Sequence, residues 1–585
     1  MRSLMVAAVT VLFSSQVMAQ QAADQLEPEA ATSAALVAKA SNSPVQSKKW
    51  MVAAANPNAV RAGAEVLASG GSAADAAVAV QLVLGLVEPQ SSGLGGGAFA
   101  LYYDAKSKKL TTLDGRETAP LSATPMLFLG EDGEPLKFFD AVVGGRSVGT
   151  PGTPALLGKL HELGGKKEWA ALFGSAISLA EGGFQVSPRL AGLVKRDQER
   201  LSVHPDTAAY FIPGGTPIAE GTKLTNAQYA GVLKSLAAKG AGAFYKPPIS
   251  TSVIEAVRNV KNNPGDLTQA DFDNYHVKER QPVCVDYRAH QVCGMGPPSS
   301  GGLTVGQILG LIAPYDVAAL GHKDANAWRL IGDASRLAFA DRGRYMADSD
   351  YVPLPTKGLI DPAYLSARAK LLDRPDALKS VAPGEPKWDH AHLLADDDAI
   401  ELPSTSHFSI VDGEGNIVSM TTTIENGFGS RLMASGMLLN NELTDFSFRS
   451  HRDGVPVANR VEPGKRPRSS MAPTIVMKDG DPVLAIGSPG GSRIIGYVAK
   501  TIIAHIDWGM NIQQAISLPH AVNRFGTFDL EAGTSAEELD QPLKALGFET
   551  NVRGLTSGLH GIVIRPDGLS GGADPRREGI VIGGG

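Results

Sequence analysis

The stretch GGSAADAAVAVQLVLGLVEP, residues 70–89, predicts a helix whose side chains are unusually small. Ser72 can cap its start, Asp75 three positions later can complete a capping box, and Pro89 follows its end. The next stretch, SSGLGGGAFALYYD over residues 91–104, predicts a glycine loop that leads into a strand. A helix with such small side chains can pack closely against a sheet, so we expect helix and sheet layers in contact.

Helical and strand patterns follow each other in mixed order along the rest of the chain. Helical patterns dominate first, strand patterns dominate past residue 405, and no internal repeat is evident. This order predicts a layered α/β or α+β architecture rather than a helical bundle or a barrel. The predicted helices span residues 153–164, 168–182, 224–239, 303–313, 325–347 and 496–507, and late strands span residues 559–565 and 579–583.

Length and charge restrict the function only broadly. The 585 residues suffice for one large core or for several domains. The 54 basic and 60 acidic residues give a net charge of −6, and no basic tract occurs. Nucleic acid is therefore not expected as a partner.

The N-terminal residues MRSLMVAAVTVLFSSQVMAQ have the three parts of a secretory signal peptide. Arg2 supplies the positive charge, an apolar region follows, and Ala19 ends a small-residue cleavage site. We expect residues 1–19 to be removed and residues 20–48, which lack aromatic side chains, to form a flexible tail. No stretch stays apolar long enough to span a bilayer, so the mature protein is expected to be soluble and exported.

The two cysteines, Cys284 and Cys293, flank VDYRAHQV in a predicted β-hairpin. An exported protein enters an oxidising compartment, in which the two thiols can pair as a disulfide. The alternative is that both are small core residues with free thiols. A catalytic cysteine is disfavoured because nothing nearby resembles a partner base.

Absent motifs and the surrounding sequence argue against several candidate metal and cofactor sites. HExxH and GxxxxGK[ST] do not occur, so a zincin and a P-loop enzyme lack sequence support. The glycines of residues 93–98 loosely fit a dinucleotide loop, but they lead into a strand rather than a helix. His390, His392 and residues 396–398 could bind a metal, although their spacing and the flanking prolines favour a solvated loop. No metal and no cofactor are expected.

The stretch ELPSTSHFS, residues 401–409, places hydroxyl side chains directly before a predicted strand. They are either strand formers on a solvated face, or one of them is a nucleophile. A threonine hydroxyl is a poor nucleophile unless a base takes its proton. His407 shares a face with Thr405, but from a strand its side chain cannot readily reach that hydroxyl. Cleavage before Thr405 would instead create a free α-amine, which titrates near pH ~8 and suits a base.

Such a cleavage needs an irregular, accessible segment before the strand and an oxyanion site elsewhere. Residues 383–404 have the sequence expected of an irregular, accessible segment. The stretch GSPGGSR, residues 487–493, is a candidate for the second, because adjacent glycines can present backbone N–H groups to an oxyanion. A glycine turn after a strand is more often only a turn, so the pattern alone leaves this open.

Ordered motifs in both halves of the chain carry a family resemblance. They are GGSAADAAVA, SSGLGGGAFALYYD, LDGRETAP, PPSSGGLT and FADRGRYMAD, followed by TSHFSIVDGEGN, LLNNELTDFS, PGKRPRSSMAPTIV and GSPGGSRII. From about Trp50 to its end the chain resembles the γ-glutamyltransferases (γ-glutamyl transpeptidases). The resemblance implies an N-terminal-nucleophile hydrolase, a four-layer αββα sandwich made as a precursor that cleaves itself. Residues 49–404 would form a large subunit and residues 405–585 a small subunit of one shared fold.

The resemblance also implies roles for individual residues. The chain would be cut between Ser404 and Thr405, and Thr405 would supply both the nucleophile and the α-amine base. Thr423 would bond to the nucleophile and aid maturation, while Gly490 and Gly491 would form the oxyanion hole. The implied substrate-binding residues are Arg116, Ser469 and Ser470 for the α-carboxylate and Asp445 for the α-amine, with Glu425 and Glu442 as acidic departures from the asparagine and glutamine of other members.

The implied activity is γ-glutamyl transfer and glutathione hydrolysis. A γ-glutamyl-Thr405 ester would pass to water or to an amino acid or peptide, without a cofactor. The two subunits would form a heterodimer, and the family and the signal peptide favour the periplasm. One alternative is a cephalosporin (glutaryl) acylase of the same fold, whose substrate lacks the α-amine. Another is a catalytically silent periplasmic protein that binds γ-glutamyl compounds.

Overall fold

Two seven-stranded antiparallel sheets form the centre of the protein. The computed structural model describes residues 28–390, 393–397, 399, 401–402 and 404–585. The first sheet has the strand order Ile580–Gly584, Trp50–Ala54, Ser406–Val411, Ile417–Thr423, Gly97–Asp104, Lys109–Gly115 and Lys278–Arg280. The second has the order Val45–Ser47, Gly568–Ala573, His560–Arg565, Asp481–Gly487, Thr474–Lys478, His290–Gly294 and Val283–Tyr287.

The strand Trp50–Ala54 of the first sheet is apolar on both faces because both faces are covered. In the strand Trp50–Ala54, Val52 and Ala54 belong to the core shared with the helices, whereas Met51 and Ala53 belong to the core between the sheets. Successive side chains of a strand point to opposite faces, so a strand between two apolar layers can have apolar residues at every position. The sheet is therefore an inner layer.

Helices cover the outer face of each sheet. Pro57–Ala68, Ala73–Val87 and Thr153–Gly164 pack on the first sheet, while Gly301–Ile312 and Ile494–Ile506 pack on the second. This confirms the predicted αββα order of layers. Other helices are Pro28–Ala40, Gly174–Gly182, Pro188–Arg196, Pro205–Phe211, Ala227–Lys239, Ile249–Arg258, Ala325–Tyr345, Pro362–Ala369, Ile512–Ser517 and Asp540–Ala545.

The alanine-rich helix begins and packs as its sequence predicts. The Ser72 hydroxyl accepts from the Asp75 N–H at 3.1 Å, and the Asp75 carboxylate accepts from the Ser72 N–H at 2.9 Å, which completes the capping box. A Cβ on Gly63 of the preceding helix would lie 2.7 Å from Val80. Small residues thus allow the two helices to lie close together, and the alanine-rich helix also packs on the first sheet, as the sequence predicts.

The N-terminal region is more ordered than its composition predicts. Within the expected flexible tail of residues 20–48, residues 28–40 form a helix and Val45–Ser47 form the edge strand of the second sheet. The Lys39 ammonium also donates to the Gly579 carbonyl at 2.7 Å. Pairing with the edge of the second sheet orders Val45–Ser47, although the local sequence does not predict a strand there. The predicted signal peptide lies outside the described residues.

The predicted hairpin joins Val283–Tyr287 to His290–Gly294. Cys284 and Cys293 face each other across it as a disulfide with an S–S distance of 2.06 Å. Within the described ranges, no helix combines the length and the apolar character that crossing a membrane requires.

Candidate active site

A small cavity lies at the N-terminal end of the strand Ser406–Val411. Its volume is about 20 Å³, which is room for a single water molecule. The predicted site residues that line it are Ser404, Thr405, Thr423, Arg116, Glu425, Glu442, Asp445, Ser469, Ser470 and Gly491, and they are joined by Glu401, Leu402, Met471 and Ile494. Folding therefore brings residues from distant parts of the sequence to one place, and only Gly490 of the predicted set is not among the lining residues.

Two threonine hydroxyls converge on the Ser404 carbonyl. The Thr405 hydroxyl donates to this carbonyl oxygen, and the Thr423 hydroxyl donates to it at 3.1 Å. The two hydroxyl oxygens lie 3.5 Å apart, and the Glu425 N–H donates to the Thr423 hydroxyl at 2.8 Å. A donor chain from Glu425 through Thr423 therefore polarises the carbonyl that lies beside the Thr405 oxygen.

The peptide bond between Ser404 and Thr405 is fixed from both sides. The Ser404 hydroxyl donates to the Gln90 carbonyl at 2.8 Å. The Arg577 guanidinium donates to the Thr405 carbonyl at 2.8 Å. Both side chains are buried, so the bond is held in one position relative to the Thr405 hydroxyl.

His407 lies between the two sheets, where its environment does not suit it to act as a base. One ring nitrogen bonds the Thr421 hydroxyl at 2.9 Å and the other bonds the Ser409 hydroxyl at 3.1 Å. Burial, assisted by nearby His560, holds the pKa of His407 well below its usual value. An imidazole with so low a proton affinity is a poor base, and its bonds indicate a structural role.

The glycine turn after the strand Asp481–Gly487 approaches the segment before Thr405. Gly490 and Gly491 have φ angles of +143° and +60°. A Cβ on Gly490 would lie 2.7 Å from the Tyr497 ring, and one on Gly491 would lie 2.8 Å from the Leu402 carbonyl carbon. The turn therefore requires glycine for its conformation and for the space that the neighbouring chain occupies.

Arg116 is the centre of a buried ion cluster. Its guanidinium pairs with Glu442, and with Asp445 at 2.5 Å. Burial raises the pKa of Glu442 and of Asp445 well above ordinary carboxyl values, although Arg116 opposes this shift. Burial likewise raises the pKa of Glu425, with Asp445 adding to the effect. Glu425, Glu442 and Asp445 outnumber the Arg116 guanidinium, which makes this side of the cavity suited to an ammonium group.

Glu117 belongs to the same cluster, and sequence reasoning did not select it. Burial raises the pKa of Glu117 from its ordinary 4.5 to about 7, although Arg116 opposes this. The only available signal was its position directly after Arg116 in LDGRETAP. The pKa of Glu117 depends on burial and on the nearby Glu442, and a local sequence pattern reveals neither.

Replacing Glu117 by Gln should stabilise the protein increasingly as pH rises. Burial raises the pKa of Glu117 in the folded state, so ionising this side chain lowers the free energy of unfolding. The cost is absent below pH 4.5, grows as pH rises and is complete above about pH 7. Glutamine cannot ionise, so the unfolding midpoint of the variant should exceed that of the wild type by roughly 2 °C or more at pH 8 and converge with it near pH 4.5. Thermal unfolding from pH 4.5 to 8 measures this.

The exposed Glu131 supplies a matched control for this experiment. Glu131→Gln should give a midpoint that parallels the wild type throughout the pH range. Parallel curves for Glu117→Gln as well would contradict the proposed cost of ionising the buried side chain.

A second charged cluster surrounds Glu401, and sequence reasoning missed it too. The Glu401 carboxylate pairs with Arg342, accepts from the Ser470 hydroxyl at 2.5 Å and lies 3.6 Å from Arg468. Arg468 also pairs with Asp397 at 2.9 Å. Arg342 lies in FADRGRYMAD and Arg468 directly precedes the serine pair, but no pattern joined them to Glu401.

Two of the residues considered for a metal site form ion pairs. Asp396 pairs with Arg344, and Asp397 pairs with Arg468. Among the residues that the structure describes, no group of three or more histidine, cysteine or acidic side chains could hold a metal ion. His392 and Asp398 lie outside the described residues.

Comparison with known proteins gives consistent matches over most of the chain. The family model described as Gamma-glutamyltranspeptidase matches residues 59–584. The glutathione hydrolase proenzyme of Bacillus subtilis (strain 168) is 37% identical over 92% of this chain and 92% of its own. That of Escherichia coli (strain K12) is 36% identical over 91% of both chains.

A solved structure agrees with the fold. The cephalosporin acylase from Bacillus halodurans superposes with a TM-score of 0.80 at 26% identity, covering 92% of this chain and 96% of its own. Together with the αββα layers, this likeness confirms the predicted architecture of an N-terminal-nucleophile hydrolase. The chain belongs to the gamma-glutamyltranspeptidase family.

Proposed function

We propose that this protein is a γ-glutamyltransferase and glutathione hydrolase that cleaves itself and then uses Thr405 as its nucleophile. The observation that carries the proposal is the convergence of the Thr405 and Thr423 hydroxyls on the Ser404 carbonyl inside a cavity lined by charged residues. Family membership supports the same reaction.

Self-cleavage begins with attack of the Thr405 oxygen on the Ser404 carbonyl carbon. The C–O bond that forms replaces the C–N bond, the hydroxyl proton passes to the leaving nitrogen, and an ester results. The Thr423 hydroxyl stabilises the oxyanion on Ser404, because it already donates to that oxygen. Water then hydrolyses the ester. Residues 49–404 and 405–585 become large and small subunits of a heterodimer.

Turnover repeats this chemistry on a γ-glutamyl amide. In the intact chain the Thr405 nitrogen is an amide and cannot take a proton, but after cleavage it is an α-amine with a pKa near ~8. This amine accepts the hydroxyl proton as Thr405 attacks the γ-carbonyl, and returns it to the leaving amine. Water, an amino acid or a peptide then takes the γ-glutamyl group from Thr405. The backbone N–H groups at Gly490 and Gly491 are proposed to stabilise the oxyanion.

The charge distribution favours a donor with an amino-acid head group. The cavity is lined by the acidic residues Glu425, Glu442 and Asp445 and also by Arg116, Ser469 and Ser470. It thus offers groups for an ammonium and groups for a carboxylate. Glutathione and related γ-glutamyl compounds have this head group, whereas a glutaryl side chain lacks the ammonium.

The cephalosporin acylase alternative has one specific observation in its favour, the structural likeness to the Bacillus halodurans enzyme. The three acidic residues argue against it, because a glutaryl group adds no ammonium to the Arg116 guanidinium, which already pairs with two of them. A silent binding protein is also an alternative, and it predicts no cleavage. The signal peptide and the family support a periplasmic location, which cell fractionation can test.

A denaturing gel followed by two assays separates these alternatives. Purified, folded protein should run as two bands, and the smaller should begin with Thr405 on N-terminal sequencing. The split protein should hydrolyse γ-glutamyl-p-nitroanilide at least about tenfold more efficiently than glutaryl-p-nitroanilide. One band would contradict the Thr405 mechanism, and a preference for the glutaryl compound would favour the acylase.

A further inference from the structure

Arg577 is a buried cation that touches the proposed nucleophile. Its Nη1 donates to the Thr405 carbonyl at 2.8 Å. Among the residues that the structure describes, its Nε and Nη2 have no hydrogen-bond partner. The nearby carboxylates Glu88 and Asp574 pair with other arginines instead. A buried charge without a close counter-ion lowers stability, so packing alone does not explain this cation.

The surrounding structure makes room for this guanidinium. Gly558 lies against it, and a Cβ at Gly558 would be 2.9 Å from Cδ and 3.1 Å from Nε of Arg577. The main chain of Arg577 is also held, because the Lys39 ammonium donates to its carbonyl at 3.1 Å and to the Gly579 carbonyl at 2.7 Å. The fold therefore fixes the position from which Arg577 reaches Thr405.

Thr405 lies just outside the ladder of the sheet. Pairing with the next strand along the chain begins at Ser406, and pairing with the strand Trp50–Ala54 begins at Phe408. A residue beyond the end of a ladder lacks the regular hydrogen bonds that fix a strand. The bond from Arg577 to the Thr405 carbonyl restrains the main chain where the sheet does not.

Self-cleavage would make this bond more important. In the uncut chain, Ser404 anchors the peptide bond from its other side by donating to the Gln90 carbonyl at 2.8 Å. Once the bond is cut, Ser404 belongs to the other polypeptide and no longer restrains Thr405. The Thr423 hydroxyl lies 3.5 Å from the Thr405 hydroxyl, which is long for a hydrogen bond. Arg577 would then hold the new chain end in place.

The guanidinium also brings a positive charge close to the nitrogen that would act as the base. The nitrogen and the carbonyl oxygen of one residue are only three covalent bonds apart, so this charge lies roughly 6 Å from the Thr405 nitrogen. Burial and the nearby Arg189 lower the pKa of Arg577 to about 9, so the guanidinium is still charged at neutral pH. A positive charge disfavours a second one beside it, so the α-amine loses its proton more readily.

Other charged groups near Thr405 are the same in the wild type and in an Arg577 variant. Two titratable neighbours, Tyr497 and His560, do not change charge near neutral pH. Burial raises the pKa of Tyr497 well above its ordinary value and lowers the pKa of His560 to about 3. The remaining groups near Arg577 or in the cavity are Lys39, Glu88, Arg189, Asp574, Glu578, Arg116, Glu401, Glu425, Glu442 and Asp445. Comparison with an Arg577 variant therefore isolates this one charge.

We propose that Arg577 is a positioning residue, which holds the main chain of Thr405 and whose charge keeps the α-amine of the cut protein in its proton-accepting form. This inference rests on the proposed function, because it assumes that Thr405 becomes the N-terminal nucleophile. It assigns a role in turnover to a residue that lies outside the family motifs and does not line the cavity.

The variant Arg577→Met lacks both the donor and the charge. It should split more slowly than the wild type on a denaturing gel. The split fraction should hydrolyse γ-glutamyl-p-nitroanilide with a kcat about tenfold or more lower, the effect of losing a hydrogen bond to a charged group, and with little change in KM. Because the α-amine then keeps its proton to higher pH, the acid side of the kcat profile should move up by about half a unit to one unit, the effect of one charge at roughly 6 Å.

Further variants separate the charge from the hydrogen bond. Arg577→Lys keeps a charge and a donor, so it should recover part of kcat and return the pH profile toward that of the wild type. Where Arg577→Met stays uncut, Arg577→Gln takes its place, because its amide can donate but has no charge. Arg189→Met is a matched control, since Arg189 is a nearby cation that contacts Glu88. It should split like the wild type and shift the profile less than Arg577→Met.

Three results would overturn the proposal. A wild-type kcat in the uncharged variants would refute the positioning role, and an acid side that stays at the wild-type pH would refute the role of the charge. Failure of every Arg577 variant to split, Arg577→Lys included, would show that neither donor nor charge explains the residue. A wild-type protein that splits but does not act on γ-glutamyl-p-nitroanilide would instead refute the proposed function, so the two failures are distinguishable.

Discussion

The Thr405→Ala protein is expected to remain one uncut chain and to show no γ-glutamyl hydrolysis or transfer. Removing the hydroxyl removes the atom that attacks the Ser404 carbonyl, and without cleavage no α-amine forms to act as base. Loss of a nucleophile of this kind lowers the rate by roughly 10⁴-fold or more. A denaturing gel over several days and an assay with γ-glutamyl-p-nitroanilide measure both effects.

Two matched variants distinguish loss of the attacking oxygen from a general disturbance of packing. Thr405→Ser keeps an attacking oxygen and should still split. Thr422→Ala removes a nearby buried hydroxyl that has no hydrogen-bond partner among the described residues, so it should split like the wild type. Cleavage of Thr405→Ala at the same bond would show that another group drives maturation.

Replacing Gly491 by Ala is expected to slow self-cleavage by roughly 100-fold, the effect of a displacement of about 1 Å in a reacting group. The new Cβ would lie 2.8 Å from the Leu402 carbonyl carbon and 2.9 Å from the Glu401 carbonyl oxygen. Real Cβ atoms do not approach so closely, so the segment before Thr405 must move. The time course of splitting on a denaturing gel measures the effect.

Gly509→Ala controls for backbone strain in this experiment. Gly509 has a φ of +65°, close to the +60° of Gly491, but apart from its chain neighbours no atom of the described residues lies within 4 Å of its Cβ position. Both variants therefore bear a similar conformational cost of about 1–2 kcal/mol, and only one displaces the scissile segment. Equal slowing in both would refute the steric argument.

Elements with strong local signals were predictable from the sequence. The capping box at Ser72 and Asp75 fixed the start of its helix, and the predicted helix over residues 153–164 matches Thr153–Gly164. The predicted layers followed from the mixed order of helix and strand patterns. Most of the site followed from the family resemblance, because its motifs contain most of the residues that line the cavity.

Features that depend on distant contacts were not predictable. Residues 20–48 lack aromatic side chains, but strand pairing with Gly568–Ala573 orders Val45–Ser47. The Glu401 cluster joins Arg342 and Ser470 across 59 and 69 positions. Such contacts follow from the packed fold, and each residue alone is a common surface type in a sequence.

The order of strands in the first sheet has a consequence for the proposed heterodimer. Trp50–Ala54 of the large subunit lies between Ile580–Gly584 and Ser406–Val411 of the small one, and Gly97–Asp104 pairs with Ile417–Thr423. The two polypeptides would therefore be interleaved within one sheet. Dilution alone should not separate them, because parting requires rupture of the sheet itself, and the cut protein should unfold as a single cooperative unit.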